Sequence, residues 1–148
     1  MKTILPCCLL AAVFFVGCTR DRHTPTGIEG AWNSVYLKVV AGDTIKGIFP
    51  GNLSESELKV WSRSHFAFVG WIKVDSVRRS NYGAGTYELH GNRYYETYLY
   101  HGQFQNGQTI KMNFELKEDT LIQTWPLDEN GKIDSANYCV EKYMRYKE

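Results

Sequence analysis

Residues 83–101, GAGTYELHGNRYYETYLYH, are the stretch that decides the fold. Two runs of strand-favouring residues flank the dipeptide Gly91-Asn92, which is typical of a tight two-residue β-hairpin turn. Such a turn predicts four facing pairs on the two strands: His90 with Arg93, Leu89 with Tyr94, Glu88 with Tyr95 and Tyr87 with Glu96. The sequence therefore predicts an antiparallel hairpin whose register is set by its turn.

The predicted register divides the hairpin into two faces, because directly opposed residues share a face of the sheet. One face is mostly polar, includes His90 and His101, and is expected to meet water. The other face is aromatic with one acid in its middle, and carries Tyr87, Leu89, Tyr94, Glu96, Tyr98 and Tyr100. A buried face that is rich in tyrosine is expected to line either a core or a ligand cavity.

The rest of the chain repeats short strand-like segments between turn signals. The clearest alternation lies in residues 108–117, where apolar Ile110, Met112, Phe114 and Leu116 alternate with polar side chains. Residues 54–57 have the spacing of a capped helical turn, and residues 75–82 suggest a long polar connection. An antiparallel barrel or sandwich fits this pattern.

We favour the barrel, because consecutive hairpins account for the strand order and closure removes exposed strand edges. The expected fold is all-β: an antiparallel up-and-down β-barrel of about eight to ten strands. We place this domain at residues 28–148, preceded by a short polar tether in residues 18–27.

The N-terminus has the pattern of a targeting segment. Lys2 supplies a positive charge, residues 4–16 are apolar but too short to span a bilayer as a helix, and Gly17-Cys18 follows. This pattern resembles a bacterial lipoprotein signal peptide, residues 1–17, with Cys18 as the lipidated first residue; an ordinary secretory signal is the alternative. The resemblance implies an outer-membrane lipoprotein that faces the periplasm or the cell surface, because Thr19 argues against retention in the inner membrane.

Cysteine and charge content narrow the possible partners. If residues 1–17 are removed and Cys18 is lipidated, Cys139 is the remaining cysteine, so no disulfide is expected within the domain. Removing the one lysine of residues 1–17 leaves 16 basic and 16 acidic residues. This balance argues against nucleic-acid binding, and membrane attachment would depend on the acyl chains at Cys18.

Gly30-Ala31-Trp32 resembles the G-x-W motif of lipocalins, and Arg145 stands where a lipocalin arginine packs over that tryptophan. Further similarity is carried by His65-Phe66, residues 85–89, residues 94–96, residues 119–121 and residues 141–145. Together they resemble a group of small lipocalin-like bacterial lipoproteins of unassigned function, with a calycin-type β-barrel. The resemblance implies that Trp32 and Arg145 close the barrel through a cation–π contact worth roughly 0.5–2 kcal/mol.

Glu96 is the most informative candidate site residue. Its strand phase points inward, and an isolated buried carboxylate is costly, so Glu96 should hold a cation or have a raised pKa. Pairing with Arg145 or with a tyrosine is one option. Strand phase does not decide whether Trp125 faces the core, a pocket or the surface. The candidate ligand-binding residues are Tyr87, Leu89, Tyr94, Glu96, Tyr98 and Tyr143.

Two functions remain open at this stage. In the first, these side chains line a cup that binds a small apolar or aromatic molecule. In the second, Glu96 belongs to a hydrogen-bonded network inside a barrel filled by its own side chains. The protein would then be a structural or interaction module of the cell envelope whose protein partner is not specified by the sequence.

No catalytic constellation is evident in the sequence. His65, His90 and His101 are dispersed, and the common nucleophile, zinc and phosphate-binding motifs are missing. We therefore expect a protein that is not an enzyme and that has no catalytic residues, metal site or cofactor.

Overall fold

The computed structural model describes residues 27–74 and 76–147, which form nine strands and no helix. The strands are β1 (Gly30–Ala41), β2 (Thr44–Phe49), β3 (Leu53–Trp61), β4 (His65–Val74), β5 (Val77–His90), β6 (Arg93–His101), β7 (Thr109–Lys117), β8 (Thr120–Trp125) and β9 (Asn137–Arg145). The prediction of an all-β fold is confirmed.

The strands form an antiparallel barrel that is closed between β1 and β9. Strands β3 to β9 pair in chain order, and the first residues of β1, Gly30 to Asn33, pair with β3. Strand β2 lies outside this ring and pairs with the last residues of β1, Leu37 to Ala41. The molecule is thus a closed barrel of eight strands with one additional strand, an architecture consistent with a lipocalin-like barrel.

The central hairpin has the register predicted from its turn. His90, Leu89, Glu88 and Tyr87 on β5 face the four expected partners on β6. Gly91 has a φ of 62°, which suits glycine at the first central position of a type II′ turn. The local turn chemistry therefore determines how these two strands are aligned.

The alternation of faces reverses near the end of β6. Gly85 pairs with Tyr98 but Ala84 pairs with Tyr100, so Leu99 is an extra residue that forms a β-bulge. A Cβ atom on Gly85 would lie 2.0 Å from the carbonyl oxygen of Thr97, so this close approach requires glycine. The bulge makes the predicted placement of Tyr100 wrong, because its side chain is 73% exposed. His101, expected on the outer face, instead turns toward the interior.

Two other local predictions are wrong. Residues 54–57 belong to strand β3 and do not form a helical turn. Most of the polar segment 75–82 belongs to β5, which begins at Val77. In β3 the spacing that resembled a helix cap instead reflects side chains alternating between the two faces, with Ser54 and Ser56 exposed and Glu57 directed inward.

One end of the barrel is closed by Trp32, which is fully buried. Its indole nitrogen donates a hydrogen bond to the carbonyl oxygen of Ile28 at 2.8 Å. The guanidinium carbon of Arg145 lies 4.2 Å from the centre of the indole ring. Arg145 also donates to the carbonyl oxygens of Glu29, at 2.8 Å, and Gly27. The first and last strands are therefore joined both by the sheet and by this side-chain contact.

Candidate functional site

A cavity of about 260 Å³ lies inside the barrel, between the second half of β1 and the ends of β6 and β8. Its wall includes Leu37 and Val39, which follow Trp32 along β1, so the cavity lies beyond the closed end. Gln103, in the loop after β6, is exposed and also belongs to the wall. The cavity therefore reaches the surface beside that loop.

Strand β3 brings charged side chains into the barrel. Glu57 and Lys59 line the cavity, whereas Leu58 and Val60 face outward and are 38% and 39% exposed. This strand reverses the usual arrangement of apolar residues inside and polar residues outside. For that reason the inward position of Glu57 and Lys59 was not predicted from the sequence, although their period-two spacing in LSESELKVW was a usable signal.

Lys59 is the cation that neutralises Glu96. The two side chains form an ion pair, and both are almost completely buried. The two carboxylate oxygens of Glu96 also accept hydrogen bonds from the hydroxyls of Tyr94, at 2.9 Å, and Tyr98, at 2.7 Å. The suggested pairing of Glu96 with Arg145 is not formed, because Arg145 binds carbonyl oxygens at the closed end.

Aromatic rings surround the ammonium group of Lys59. Its nitrogen lies 4.9 Å from the ring centre of Trp61 and 5.2 Å from that of Phe66. The side-chain oxygen of Gln123 is 3.4 Å away. The interior of this barrel thus holds an ammonium group through a carboxylate and the faces of aromatic rings.

A second polar group consists of Glu57, Tyr143 and Glu141. The hydroxyl of Tyr143 lies 2.9 Å from Oε1 of Glu57 and 3.0 Å from Oε2 of Glu141. The hydroxyl has one hydrogen, so it donates to one carboxyl while a protonated second carboxyl donates to the hydroxyl oxygen. Asn81 donates to Oε2 of Glu57 at 2.7 Å. This geometry fits two carboxyls bridged by one hydroxyl, one of which carries a proton.

The electrostatics of this pair agree with the geometry. Burial, followed by the charge of Glu141, raises the pKa of Glu57 to about 8. Burial also raises the pKa of Glu141, and the positive charge of Lys59 opposes that rise. Burial keeps the pKa of the Tyr143 and Tyr98 hydroxyls above the ordinary value, so both remain hydrogen-bond donors. At neutral pH the carboxyl pair is therefore at least partly protonated.

The six predicted ligand-binding residues fall into two groups. Glu96, Tyr98 and Tyr143 line the cavity. Tyr87, Leu89 and Tyr94 do not, because they pack in the core. There the hydroxyl of Tyr87 donates to the carbonyl oxygen of Ser62, and that of Tyr94 accepts from the indole nitrogen of Trp61.

His101 and Phe104 form part of the cavity wall near the surface. Their rings stack with 4.4 Å between centres. Nδ1 of His101 accepts hydrogen bonds from the backbone N–H groups of Gln103, at 2.8 Å, and Phe104, at 2.9 Å. Burial lowers the pKa of His101, so the imidazole is neutral with its hydrogen on Nε2.

Trp125 and Cys139 also belong to the cavity wall. Trp125 lines the cavity, and its buried indole nitrogen has no hydrogen-bond partner among the described residues. Burial raises the pKa of the Cys139 thiol to about 12, so this cavity residue remains a thiol. Sequence analysis left the position of Trp125 undecided.

Some predictions concern residues that the structure does not describe. Cys18 and the signal pattern of residues 1–17 lie outside the described residues. Within residues 27–74 and 76–147, no helix is long and apolar enough to cross a membrane. In the same ranges, no group of three or more His, Cys, Asp or Glu side chains is arranged to hold a metal ion.

No family model, curated protein or solved structure matches this chain. The resemblance to lipocalin-like lipoproteins therefore stays a prediction, and the functional argument depends on the cavity itself.

Proposed function

We propose that this protein binds a small aromatic molecule in the barrel cavity. The single observation that carries the proposal is a cavity of about 260 Å³ whose wall combines aromatic rings with buried polar groups. Benzene fills an apolar cavity of about 150 Å³, so this space suits a ligand of about ten non-hydrogen atoms. Its volume is just below the range of about 300–1,000 Å³ that is typical of ligand pockets.

The composition of the wall supports an aromatic ligand. Phe68, Tyr98, Phe104 and Trp125 offer ring surfaces on several sides of the cavity. Aromatic rings pack against one another in offset or edge-to-face arrangements that add to the gain from burial. The unpartnered indole nitrogen of Trp125 and the carboxyls of the cavity wall can orient the polar ends of such a ligand.

The second candidate function is a structural or interaction module without a ligand. It is favoured by the complete pairing of Glu96, whose oxygens are satisfied by Lys59, Tyr94 and Tyr98. Such a network can fix the register of a barrel. Unlike Glu96, the Glu57–Glu141 pair and the indole nitrogen of Trp125 are not fully paired within the described part of the chain. This difference favours ligand binding.

We also propose where the protein is located and that it acts by binding. The protein is a lipocalin-like lipoprotein anchored through acyl chains at Cys18 in the outer membrane, facing the periplasm or the cell surface, and it is a binding protein without catalytic activity. The support is the N-terminal sequence pattern and the lack of a recognisable catalytic motif. Mass spectrometry of the purified chain tests the anchor: we expect an acylated N-terminal Cys18, and a Cys18→Ser variant that is not acylated.

Native mass spectrometry of the protein purified from its own cells tests ligand binding. We expect a co-purifying small molecule that is lost in Val39→Phe, since Val39 lines the cavity and the larger side chain would fill it. Val69→Phe is the matched control, because Val69 is 62% exposed on the outer surface. Repeated absence of any bound molecule, together with no binding of small aromatic compounds, would contradict the proposal.

A further inference from the structure

We infer that the cavity takes a small organic cation, an aromatic molecule that bears a primary amine, whose ammonium group binds the carboxyls of Glu57 and Glu141. This inference rests on the proposed function, because it names the ligand class for the same cavity. Three kinds of observation support it: the charges of the wall, the hydrogen bonds of the carboxyl pair, and the way the barrel already holds Lys59.

The charged side chains of the cavity wall do not balance. Glu57, Glu96 and Glu141 are acidic, and Lys59 is basic. Lys59 is paired with Glu96. Among the described residues, neither Glu57 nor Glu141 forms an ion pair with a lysine, arginine or histidine. Two half-buried carboxyls are therefore held by neutral hydrogen-bond donors alone.

A proton occupies the place that a cation would take. Because the single hydrogen of the Tyr143 hydroxyl cannot serve both carboxyls, one carboxyl contributes a hydrogen of its own. An ammonium group brings three N–H donors and a full positive charge, so it can satisfy both carboxyls once that proton leaves. Binding of an amine is thus expected to release a proton.

The charges around Glu57 and Glu141 permit an ammonium group to replace this proton. The titratable side chains that interact with Glu57 or Glu141 come from strands β3, β6 and β9, and are Glu55, Lys59, Glu96, Tyr98, Cys139 and Tyr143. His101 lies on the same cavity wall and is neutral. Lys59 is the basic side chain in this set that carries a charge, and Glu96 already neutralises it. An anionic ligand would have to displace Glu96, which is fully buried, and leave its carboxylate without a cation.

Lys59 shows that the interior accommodates an ammonium group. Its nitrogen is held by a carboxylate and lies within 5.8 Å of the ring centre of Tyr143. Tyr143 also stands between Glu57 and Glu141, and Tyr98 and Phe104 provide further rings beside the cavity. A second ammonium group would find the same combination of carboxyl and aromatic ring.

A buried donor on the cavity wall indicates that the ligand also carries an oxygen. The indole nitrogen of Trp125, on the cavity wall, has no partner among the described residues. A buried donor without an acceptor is costly, so a hydroxyl or similar acceptor on the ligand would stabilise the complex.

Three probes of equal shape test the inference. Tyramine, tyrosol and para-hydroxyphenylacetate share a phenol ring and chain length, but their chains end in an amine, a neutral hydroxyl and a carboxylate. Isothermal titration of the full chain at neutral pH should show tyramine binding at least about tenfold tighter than tyrosol, and the carboxylate binding weakest. Titrations in buffers of different ionisation enthalpy should show proton release with tyramine and none with tyrosol.

Substitution of the carboxyls separates charge recognition from shape. Glu141→Gln should weaken tyramine binding at least about tenfold and leave tyrosol binding within about threefold. Glu57→Gln should act in the same way and serves if Glu141→Gln does not fold. Glu88→Gln, at an exposed site on the hairpin, is the matched control and should change neither affinity.

The outcomes distinguish this inference from the proposed function. Equal or tighter binding of tyrosol or para-hydroxyphenylacetate would overturn the inference and leave an aromatic-binding cavity in place. Tyramine binding that survives both glutamine substitutions would also overturn it. If none of the three probes binds and no molecule co-purifies, the inference and the proposed function fail together.

Discussion

The two ends of this barrel bury polar groups in different ways. At the closed end, the indole nitrogen of Trp32 and the guanidinium of Arg145 find acceptors on the backbone close by. At the cavity end, Glu57 and Glu141 share one hydroxyl, and the indole nitrogen of Trp125 has no partner among the described residues. The polar groups at the closed end have all their partners within the chain, whereas those at the cavity end can still form hydrogen bonds with a ligand.

This difference indicates where stability and binding reside. Polar groups that are satisfied inside the chain stabilise the fold, because their desolvation is compensated. Buried groups that lack partners reduce stability until a ligand satisfies them. Lys59 and Glu96 lie between the two ends, because Glu96 is bound by core Tyr94 on one side and lines the cavity on the other.

The largest expected effect comes from breaking this central pair. Lys59→Met leaves the buried carboxylate of Glu96 without a cation, and should lower the free energy of unfolding by about 3–5 kcal/mol. Urea unfolding followed by tryptophan fluorescence measures the change. The double variant Lys59→Met/Glu96→Gln removes the uncompensated charge and should recover most of the loss. A single variant that loses less than about 1 kcal/mol would show that the pair is not central.

Weakening the closed end should affect stability without affecting binding. Arg145→Met removes the cation–π contact with Trp32 and leaves two carbonyl oxygens without their donor, at a cost of about 1–3 kcal/mol. Arg145→Lys keeps the charge but loses the planar guanidinium, so its loss should be intermediate. Affinity for tyramine should stay within about threefold of wild type, and a larger change would contradict the separation of the two ends.

The cavity end should make stability depend on pH. The pKa of Glu57 is about 8 in the folded protein and about 4.5 in the unfolded chain. The folded state therefore binds the proton more tightly, so this contribution to stability is present below about pH 4.5 and declines as the pH rises toward about 8. Between about pH 5 and pH 8, wild type should lose at least about 1.4 kcal/mol relative to Glu57→Gln. Parallel pH profiles of the two proteins would contradict the raised pKa.

The smallest expected effect tests the bulge at Leu99. Tyr100 is 73% exposed, so Tyr100→Ala should change the free energy of unfolding by less than about 0.5 kcal/mol. Tyr98→Ala is the matched comparison on the inner face and should cost about 3 kcal/mol or more. Similar losses in the two variants would mean that the strand alternates regularly through residue 100.

More of the fold than of the candidate site could be predicted from the sequence. Gly91-Asn92 was sufficient to predict four cross-strand pairs, because a two-residue turn leaves one register. The inward position of Glu96 followed from the same register. Both features depend on residues that are close together in the chain, so they can be predicted from a single sequence.

The parts of the site that were missed depend on longer-range structure. Strand β3 places Glu57 and Lys59 inside because the barrel provides partners for them. Their period-two spacing groups them on one face of the strand, but no local rule identifies a charged face as the inner one. His101 was assigned to the wrong face because one bulged residue reverses the alternation beyond Tyr98. The proximity of Glu57 to Glu141 arises from the closure of the barrel and could not be read from their separation in the chain.

The bulge at Leu99 also bears on how the opening of this barrel can diversify. Because one unpaired residue sets the phase of everything that follows in β6, a strand without the bulge, in which Leu99 paired with Ala84, would move each later residue to the opposite face. The phenol of Tyr100 would then replace the imidazole of His101 at the entrance. Loss of the bulge thus offers evolution, or a protein engineer, a way to exchange the chemistry of the entrance while the residues that close the opposite end are kept.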